Sequence, residues 1–355
     1  MAVDFKVLFS RETESLLYLL GYQAHRDSYN VYVVGSFVRD LILGKDSRII
    51  DVLVEGDVVS YVRNLQRSLP GKMQYSELFG TATFHIPGPY KIKLTTLKSE
   101  VYYLSEEPAS LERTLKNELF KRDFTVNTLA MKLNPCNFCK LHDFFGGKQD
   151  LSEGNIRALY SLSFVNEPLR LLSALRLEQR FGFKINEDTA NLMHTAITAK
   201  VLQKVSRERI GHELRLIFAE PAPSRVVGRL HELGLWQQVF PRLSYNETIP
   251  LRLRRLELIR KSHQLAENRT FRYNTFIISV CVLFYGLTRH DILYLSHILR
   301  LKRNERQEVM EVMERIKPVL DGRLGSMEAE GRVIDLLEKQ CTEEGGVKRD
   351  NVSFR

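Results

Sequence analysis

The stretch YVVGSFVRDLILG, residues 32–44, decides the fold. Its first half belongs to a β-branched apolar run, residues 30–35, that predicts a buried strand. The run breaks at Gly35-Ser36 and resumes with helical spacing, so residues 36–44 form a helix with Ser36 as expected N-cap and Gly44 as stop. A glycine between strand and helix lets an anion approach the backbone, and the free amides of a first helical turn favour phosphate. Arg39, one turn in, is placed to pair with phosphate oxygens, with Asp40 beside it.

Working outward, IIDVLV (49–54) is a second strand, and Asp57 is the expected cap of a helix over 57–69. Residues 81–86 and 91–97 are two more strands, parted by the turn PGPY. Beyond residue 155 the apolar period becomes 3.6 and stays so to about 340, with Ser206 capping a helix over 205–218. The fold class is therefore α+β: an α/β segment, residues 1–155, followed by all-helical segments 156–222 and 223–330 and a helix end with a polar tail, 331–355.

Composition bounds the function. Of 355 residues, 44% are hydrophobic and 27% charged, which excludes a disordered or fibrous chain. No apolar run reaches 18 residues, so no membrane span is expected, and the acidic, helical start does not read as a signal peptide. Four cysteines exclude a disulfide scaffold and fit a reducing, cytoplasmic setting. The net charge of +9 permits a polyanionic partner.

Five further stretches follow in order: IIDVLVEGD (49–57), KIKLTTLKSE (91–100), ELFKRDFTVNTLAM (118–131), LHDFFGGKQDLSEGNIRAL (141–159) and FVNEPLRLLSALRLEQRFGF (164–183). With residues 32–44 they make six ordered motifs over about residues 25–240, and the chain resembles the class II tRNA nucleotidyltransferase and bacterial poly(A) polymerase family. The resemblance implies a nucleotidyltransferase head, a helical neck that selects the incoming base, and a helical body and tail that hold tRNA. It implies addition of C, C and A, or part of that sequence, or of A tails, to RNA 3′ ends with magnesium. RNA, tRNA first, and a nucleoside triphosphate (ATP or CTP) are the implied partners. The implied nucleotide and phosphate contacts are Gly35, Ser36, Arg39, Asp40, Arg122, Asp123 and Asn127.

The departures from the family pattern lie at the metal site. The family places a D-x-D pair on one strand and a third carboxylate on a neighbour. In-line attack on an α-phosphate uses two divalent ions about 3.5–4 Å apart, and magnesium wants anionic oxygen ligands. Here the pair reads Ile49 and Asp51, and the third position reads Lys93. Asp51 is then the one catalytic and metal-ligating candidate, in an incomplete site. Residues of one parity share a strand face, but Leu53 cannot ligate, and Glu55 lies roughly 13 Å from Asp51 at ~3.3 Å per residue. Asp46 and Asp57 fall outside the strand. A lysine about 4 Å from a divalent ion opposes it by ~4 kcal/mol per unit charge at an effective dielectric near 20; Lys93 instead offers a counter-charge to phosphate. A one-residue slip of register is the alternative that would restore other neighbours to the site. Milder changes are Lys121, Glu118 and Lys98 where the family has arginine, aspartate and arginine; lysine keeps the charge and loses the bidentate fork.

In the neck the family reads the base with an E-D-x-x-R helix. Here Glu167 and Arg170 stand at the aspartate and arginine positions, at i, i+3 and so expected on one helix face, with Arg176 packing further along. A surface ion pair is the plain alternative. The basic helices 252–261 and 299–306 supply candidate RNA contacts Arg252, Arg254, Arg255, Lys302 and Arg303, although most charged faces are only solvated. Cys136 and Cys139 read as a hairpin tip more readily than as zinc ligands, and His290-Asp291 as a solvated helix end. Three readings stand: an RNA-binding member of the family with an impaired or lost metal site; an active RNA 3′-nucleotidyltransferase, its ligands completed by another register, a second copy or a partner chain; and a scaffold that binds other proteins.

Overall fold

The computed structural model describes residues 9–320 except 46, 77, 89, 98–110 and 268–274. Helix α1 (Arg11–Arg26) starts under Ser10, whose hydroxyl accepts from the Thr13 amide. There follow β1 (Asn30–Val34), α2 (Ser36–Ile42), β2 (Ile49–Glu55) and α3 (Val58–Leu65). Next come β3 (Lys72–Ser76), β4 (Thr81–His85), β5 (Lys91–Thr96) and α4 (Leu111–Phe120), then β6 (Ala130–Lys132), β7 (Leu141–His142) and α5 (Gly147–Glu153). The strands join in one sheet in the order β3-β4-β5-β2-β1-β6-β7. Only β2 and β5 run parallel; every other neighbour pair is antiparallel.

Alternation along the strands sorts the two faces. Ile50, Val52 and Val54 of β2, with Ile92, Leu94 and Phe84, are fully buried on the face against which α3 lays Tyr61, Val62 and Leu65. Among the described residues the other face is closed at β1, where Tyr32, Val34, Leu53 and Ala130 form a cluster with Leu97, Leu115 and Leu119. Asp57 caps α3 as expected, accepting from the Val59 and Ser60 amides. Ser36 does not cap α2: Gly35 holds the cap position at φ 74°, and Ser36 is the first helical residue. A positive φ favours glycine, so the break falls one residue earlier than the N-cap preference of serine indicates. In this sheet three strands escape the sequence reading, the edge strand β3 and the short pair β6 and β7; the two-residue strands at 155–156 and 184–185 escape it as well.

A two-residue strand, β8 (Asn155–Ile156), pairs in parallel with β9 (Lys184–Ile185). The helices are α6 (Ser163–Asn166), α7 (Arg170–Phe181), α8 (Glu187–Thr198), α9 (Arg207–Ala219), α10 (Pro223–Glu232), α11 (Trp236–Val239), α12 (Thr248–Glu267), α13 (Thr275–Phe284), α14 (Arg289–Ile298) and α15 (Arg303–Leu320). Contacts divide the chain into two units, one up to Ser163 with Lys184–Ala190, the other Phe164–Phe183 with the chain from Asn191 onward. The expected border at 155/156 falls inside β8. In the helical unit α9 packs against α7, α10, α13 and α14. Its Gly211 admits the Ile298 carbonyl so closely that a Cβ would lie 2.2 Å from the oxygen. Ser206 caps α9, as the sequence indicates. Residues 331–355, and Asp46, Lys98 and Glu100, lie outside the described residues. Among the described residues no helix is long and apolar enough to cross a membrane.

Candidate active site

Strand β1 delivers the chain to Gly35, whose amide donates to the Leu129 carbonyl at 3.0 Å. The Arg122 guanidinium lies directly over this glycine: a Cβ there would meet Nη1 at 2.1 Å. Gly35 is therefore required twice, by its φ and by the arginine above it. Arg122 is half-buried and brings positive charge to the strand–helix turn.

Arg39 does not face that turn openly. It is 4% exposed, as is Asp40. Its Nε and Nη2 donate to Asp40 Oδ1 at 2.8 and 2.6 Å, and its Nη1 donates to Asn127 Oδ1 at 2.6 Å. Asn127 Nδ2 in turn donates to Asp123 Oδ1 at 2.7 Å, which also accepts the Phe124 amide at 2.9 Å. The expectation that Arg39 pairs with phosphate is corrected: its charge is met by Asp40 inside the protein, and it fixes Asn127 and, through it, Asp123. A buried charge must be paired in this way. Asp40 and Asn127 belong to the same buried network.

On the strands the register is explicit. Val34 lies opposite Asp51 across β1–β2, and Asp51 lies opposite Lys93 across the parallel β2–β5 ladder. Ile49, 42% exposed, shares the open face with half-buried Asp51 and exposed Lys93. Glu55 is engaged by Asn30 Nδ2 at 2.7 Å. Asp57 is spent on its cap, where the Ser60 hydroxyl above all holds its carboxyl below the usual range against the opposing effect of desolvation. Glu118 pairs with Lys121 at 3.0 Å. Among the described residues no three His, Cys, Asp or Glu side chains gather where a metal ion would sit.

The neck residues belong to the helical unit. Glu167 and Arg170 do not share a helix face, contrary to expectation. Pro168 disfavours helical backbone at the residue before it, so Glu167 stays outside, and α7 begins at Arg170 after a turn in which the Arg170 amide donates to the Glu167 carbonyl. Glu167 Oε2 accepts from Arg209 Nη2 at 2.6 Å, while its Oε1 is buried without a hydrogen-bond partner. Arg209 is a site neighbour that sequence reading missed; only its place in the first turn of a capped helix was visible. Arg170 is buried. Arg176 bridges Glu213 and Glu220; burial opposes its charge, but the two carboxylates outweigh that and hold its pKa above the ordinary value.

Of the basic helix residues, Arg254, Arg255, Lys302 and Arg303 are exposed, and none has a carboxylate at ion-pair distance among the described residues. Arg252 lies over the Tyr285 ring at 4.3 Å and is half-buried. Cys136 and Cys139 sit between β6 and β7, at a hairpin tip. Asp291 is drawn into a reciprocal cap with Thr288 at the start of α14.

The strand–glycine–helix turn, the aspartate-bearing strand beside it and the mixed sheet define a nucleotidyltransferase-type head. Comparison agrees. A family profile described as "Poly A polymerase head domain" matches residues 31–157, and one described as "Probable RNA and SrmB- binding site of polymerase A" matches residues 182–246. An A-adding tRNA nucleotidyltransferase of Geobacter sulfurreducens is 39% identical over 234 residues, 66% of this chain and 27% of that protein. One of Halalkalibacterium halodurans is 33% identical over 246 residues, 68% of this chain and 57% of that protein. A solved CCA-adding enzyme with CTP superposes with a TM-score of 0.70 at 30% identity, over 96% of this chain and 83% of that one. The Thermotoga maritima CCA-adding enzyme complexed with tRNA gives 0.67 at 29%, over 94% and 84%. The chain belongs to the tRNA nucleotidyltransferase and poly(A) polymerase family.

Proposed function

We propose that this chain is an RNA-binding member of its family, with tRNA as first ligand, in which nucleotidyl transfer is lost or reduced to a trace. The observation that carries the reading is the pairing of Asp51 with Lys93 in the β2–β5 ladder, with Ile49 on the same face. The donor set does not fit two magnesium ions. One carboxylate cannot clamp both the attacking and the leaving oxygen, and an ammonium at the third position opposes a divalent ion by several kcal/mol, at ~4 kcal/mol per unit-charge pair near 4 Å. Glu55 at the end of β2 and Asp57 just beyond it are held by Asn30 and by the α3 amides. The partly exposed Arg122 over Gly35 and the exposed arginines of α12 support ligand binding over a pure scaffold. The test is a 3′-extension assay on tRNA lacking its terminal A, CA or CCA, with each nucleotide and magnesium. Little or no extension is expected. Brisk addition that Asp51→Ala abolishes overturns the reading in favour of an active enzyme.

A further inference from the structure

The sheet register lets the open face of the head be read row by row. In one row Ile49 lies opposite Lys91, Lys91 opposite His85, and His85 opposite Lys72. In the next, Asp51 lies opposite Lys93. Paired residues on neighbouring strands point to the same side of a sheet. The hydrophobic cluster that closes this side at β1 reaches only as far as Leu53 of β2 and Leu97. Beyond it, Lys72, His85 and Lys93 are exposed and Lys91 is half-exposed.

The chemistry of this face is one-sided. On β3, β4 and β5 its positions are three lysines, one histidine, and otherwise only threonine, serine and glutamine. Not one is acidic. Among the described residues no carboxylate lies at ion-pair distance from Lys72, Lys91 or Lys93. Lys91 and Lys93 stand two residues apart on β5, and Lys72 stands on β3 across His85 of β4; with Asp51, opposite Lys93, the one carboxylate in these rows, the excess of positive charge raises the local potential and attracts a polyanion. The lysines are spread over β5 and β3, on either side of β4, rather than focused on one point, which suits a chain of separated phosphates better than a single triphosphate. Hydroxyl and amide donors between them complete a phosphate-binding surface. No Phe, Tyr or Trp stands on these positions to stack a base, so recognition runs mainly through the backbone and tolerates any sequence.

We propose that the open face of β5, β4 and β3 binds a single RNA strand by its phosphates, without metal, through Lys93, Lys91 and Lys72. This rests on the RNA-binding reading above and adds the place and the chemistry. Lys93 then has two consequences from one change: it removes a metal ligand and supplies a phosphate ligand.

The experiment measures binding of the full chain to a short, unstructured, labelled oligoribonucleotide and to tRNA by fluorescence anisotropy, in EDTA, across a salt series. The variant Lys72→Gln/Lys91→Gln/Lys93→Gln is compared with the triple Lys→Arg variant, and thermal unfolding checks that both stay folded. Wild type and the arginine variant are expected to bind the oligonucleotide without magnesium. The glutamine variant is expected to bind at least about 10-fold more weakly, with a salt slope shallower by about 2, from ~0.7 per single-strand phosphate contact. Equal affinity and slope for wild type and the glutamine variant overturn the proposal, as does a requirement for magnesium. Displacement of the oligonucleotide by stoichiometric ATP in EDTA also overturns it, because the occupant is then a nucleotide. If wild type fails to bind tRNA at low salt, the RNA-binding reading itself falls. If tRNA binds and the glutamine variant loses nothing, only this inference falls.

Discussion

At the scale of single residues, Asp51 faces two independent obstacles to holding a metal ion, and they make separable predictions. Ile49→Asp restores a second carboxylate on the face of Asp51 but leaves the Lys93 charge; Lys93→Glu removes the charge but leaves half the pair missing. Neither single change is expected to bind Mn²⁺, followed by its electron-spin signal, while the double change is. Turnover in the double variant is expected to recover only weakly, because Glu167, one methylene longer than the aspartate the family places there, would seat the incoming base differently, and a misplacement of ~1 Å loses about 10²-fold; a fast single variant would refute the argument. Gly35→Ala makes a second prediction. At φ 74° and ψ −132°, outside the left-handed helical region, an L-residue is strained by about 1–3 kcal/mol, and its methyl displaces Arg122, so the variant should melt earlier and bind RNA no better. The exchange at Ile49 and Lys93 was legible because strand parity fixes which residues share a face. The enclosure of Arg39 was not: Asp40 stands beside it in the sequence, but its other partner, Asn127, is 88 positions away, and adjacency alone does not say that the pair turns inward.

At the scale of elements, the start of α15 hangs on one ion pair. Glu305 accepts from Arg215 Nη1 and Nη2, both at 2.9 Å, and from the Lys302 amide at 2.7 Å. Arg215 also donates to the Leu299 and Arg300 carbonyls and lies over the Phe276 ring at 4.3 Å, so it ties α9 to α13 and to both ends of the α14–α15 turn. The hydrogen bonds from Arg215 hold the Glu305 carboxyl below its ordinary range, against some desolvation. A depressed carboxylate pKa contributes stability that is present above the unfolded value, about 4.3 for glutamate, and is lost as pH falls through the folded one. Glu305→Gln is therefore expected to destabilise by about 1.5–3 kcal/mol near neutral pH, and the gap to wild type should close on acidification below about pH 4. Urea unfolding at several pH values measures it; a gap independent of pH would show that Arg215 acts through packing alone. Elements were legible where their pattern is self-contained, as in β1, β2, β5 and the capped α3 and α9. Strand β3, KMQYS, is a polar edge strand with almost no apolar alternation, and its pairing with β4 is what makes it a strand. The shared helix face of Glu167 and Arg170 failed on Pro168, a breaker the spacing rule overlooks.

At the scale of the whole molecule, charge is the quantity that joins sequence to function. A net charge of +9 is modest for 355 residues, so what matters is where cations stand without partners. Much of the arginine in the helical unit is consumed internally, with Arg176 on Glu213 and Glu220, Arg229 on Glu178 and Glu232, and Arg215 on Glu305. Arg254, Arg255 and Arg303 are exposed and lack such partners among the described residues, and exposed Lys302 makes no ion pair there although its charge acts on nearby Glu305. Each phosphate they neutralise releases counterion, steepening the fall of affinity with salt by about 0.9 per contact on a duplex. Arg254→Gln/Arg255→Gln is thus expected to weaken tRNA binding and to flatten its salt slope by nearly 2, while leaving a short single strand bound as before. The same substitution in an internal pair, Arg229→Gln, should lower the melting temperature and leave the salt slope unchanged. The contrast separates a binding charge from a structural one, and titration of tRNA with each variant between 50 and 200 mM salt, about the range over which such contacts shift affinity by orders of magnitude, measures it. Equal slopes for wild type and Arg254→Gln/Arg255→Gln would remove α12 from the RNA surface.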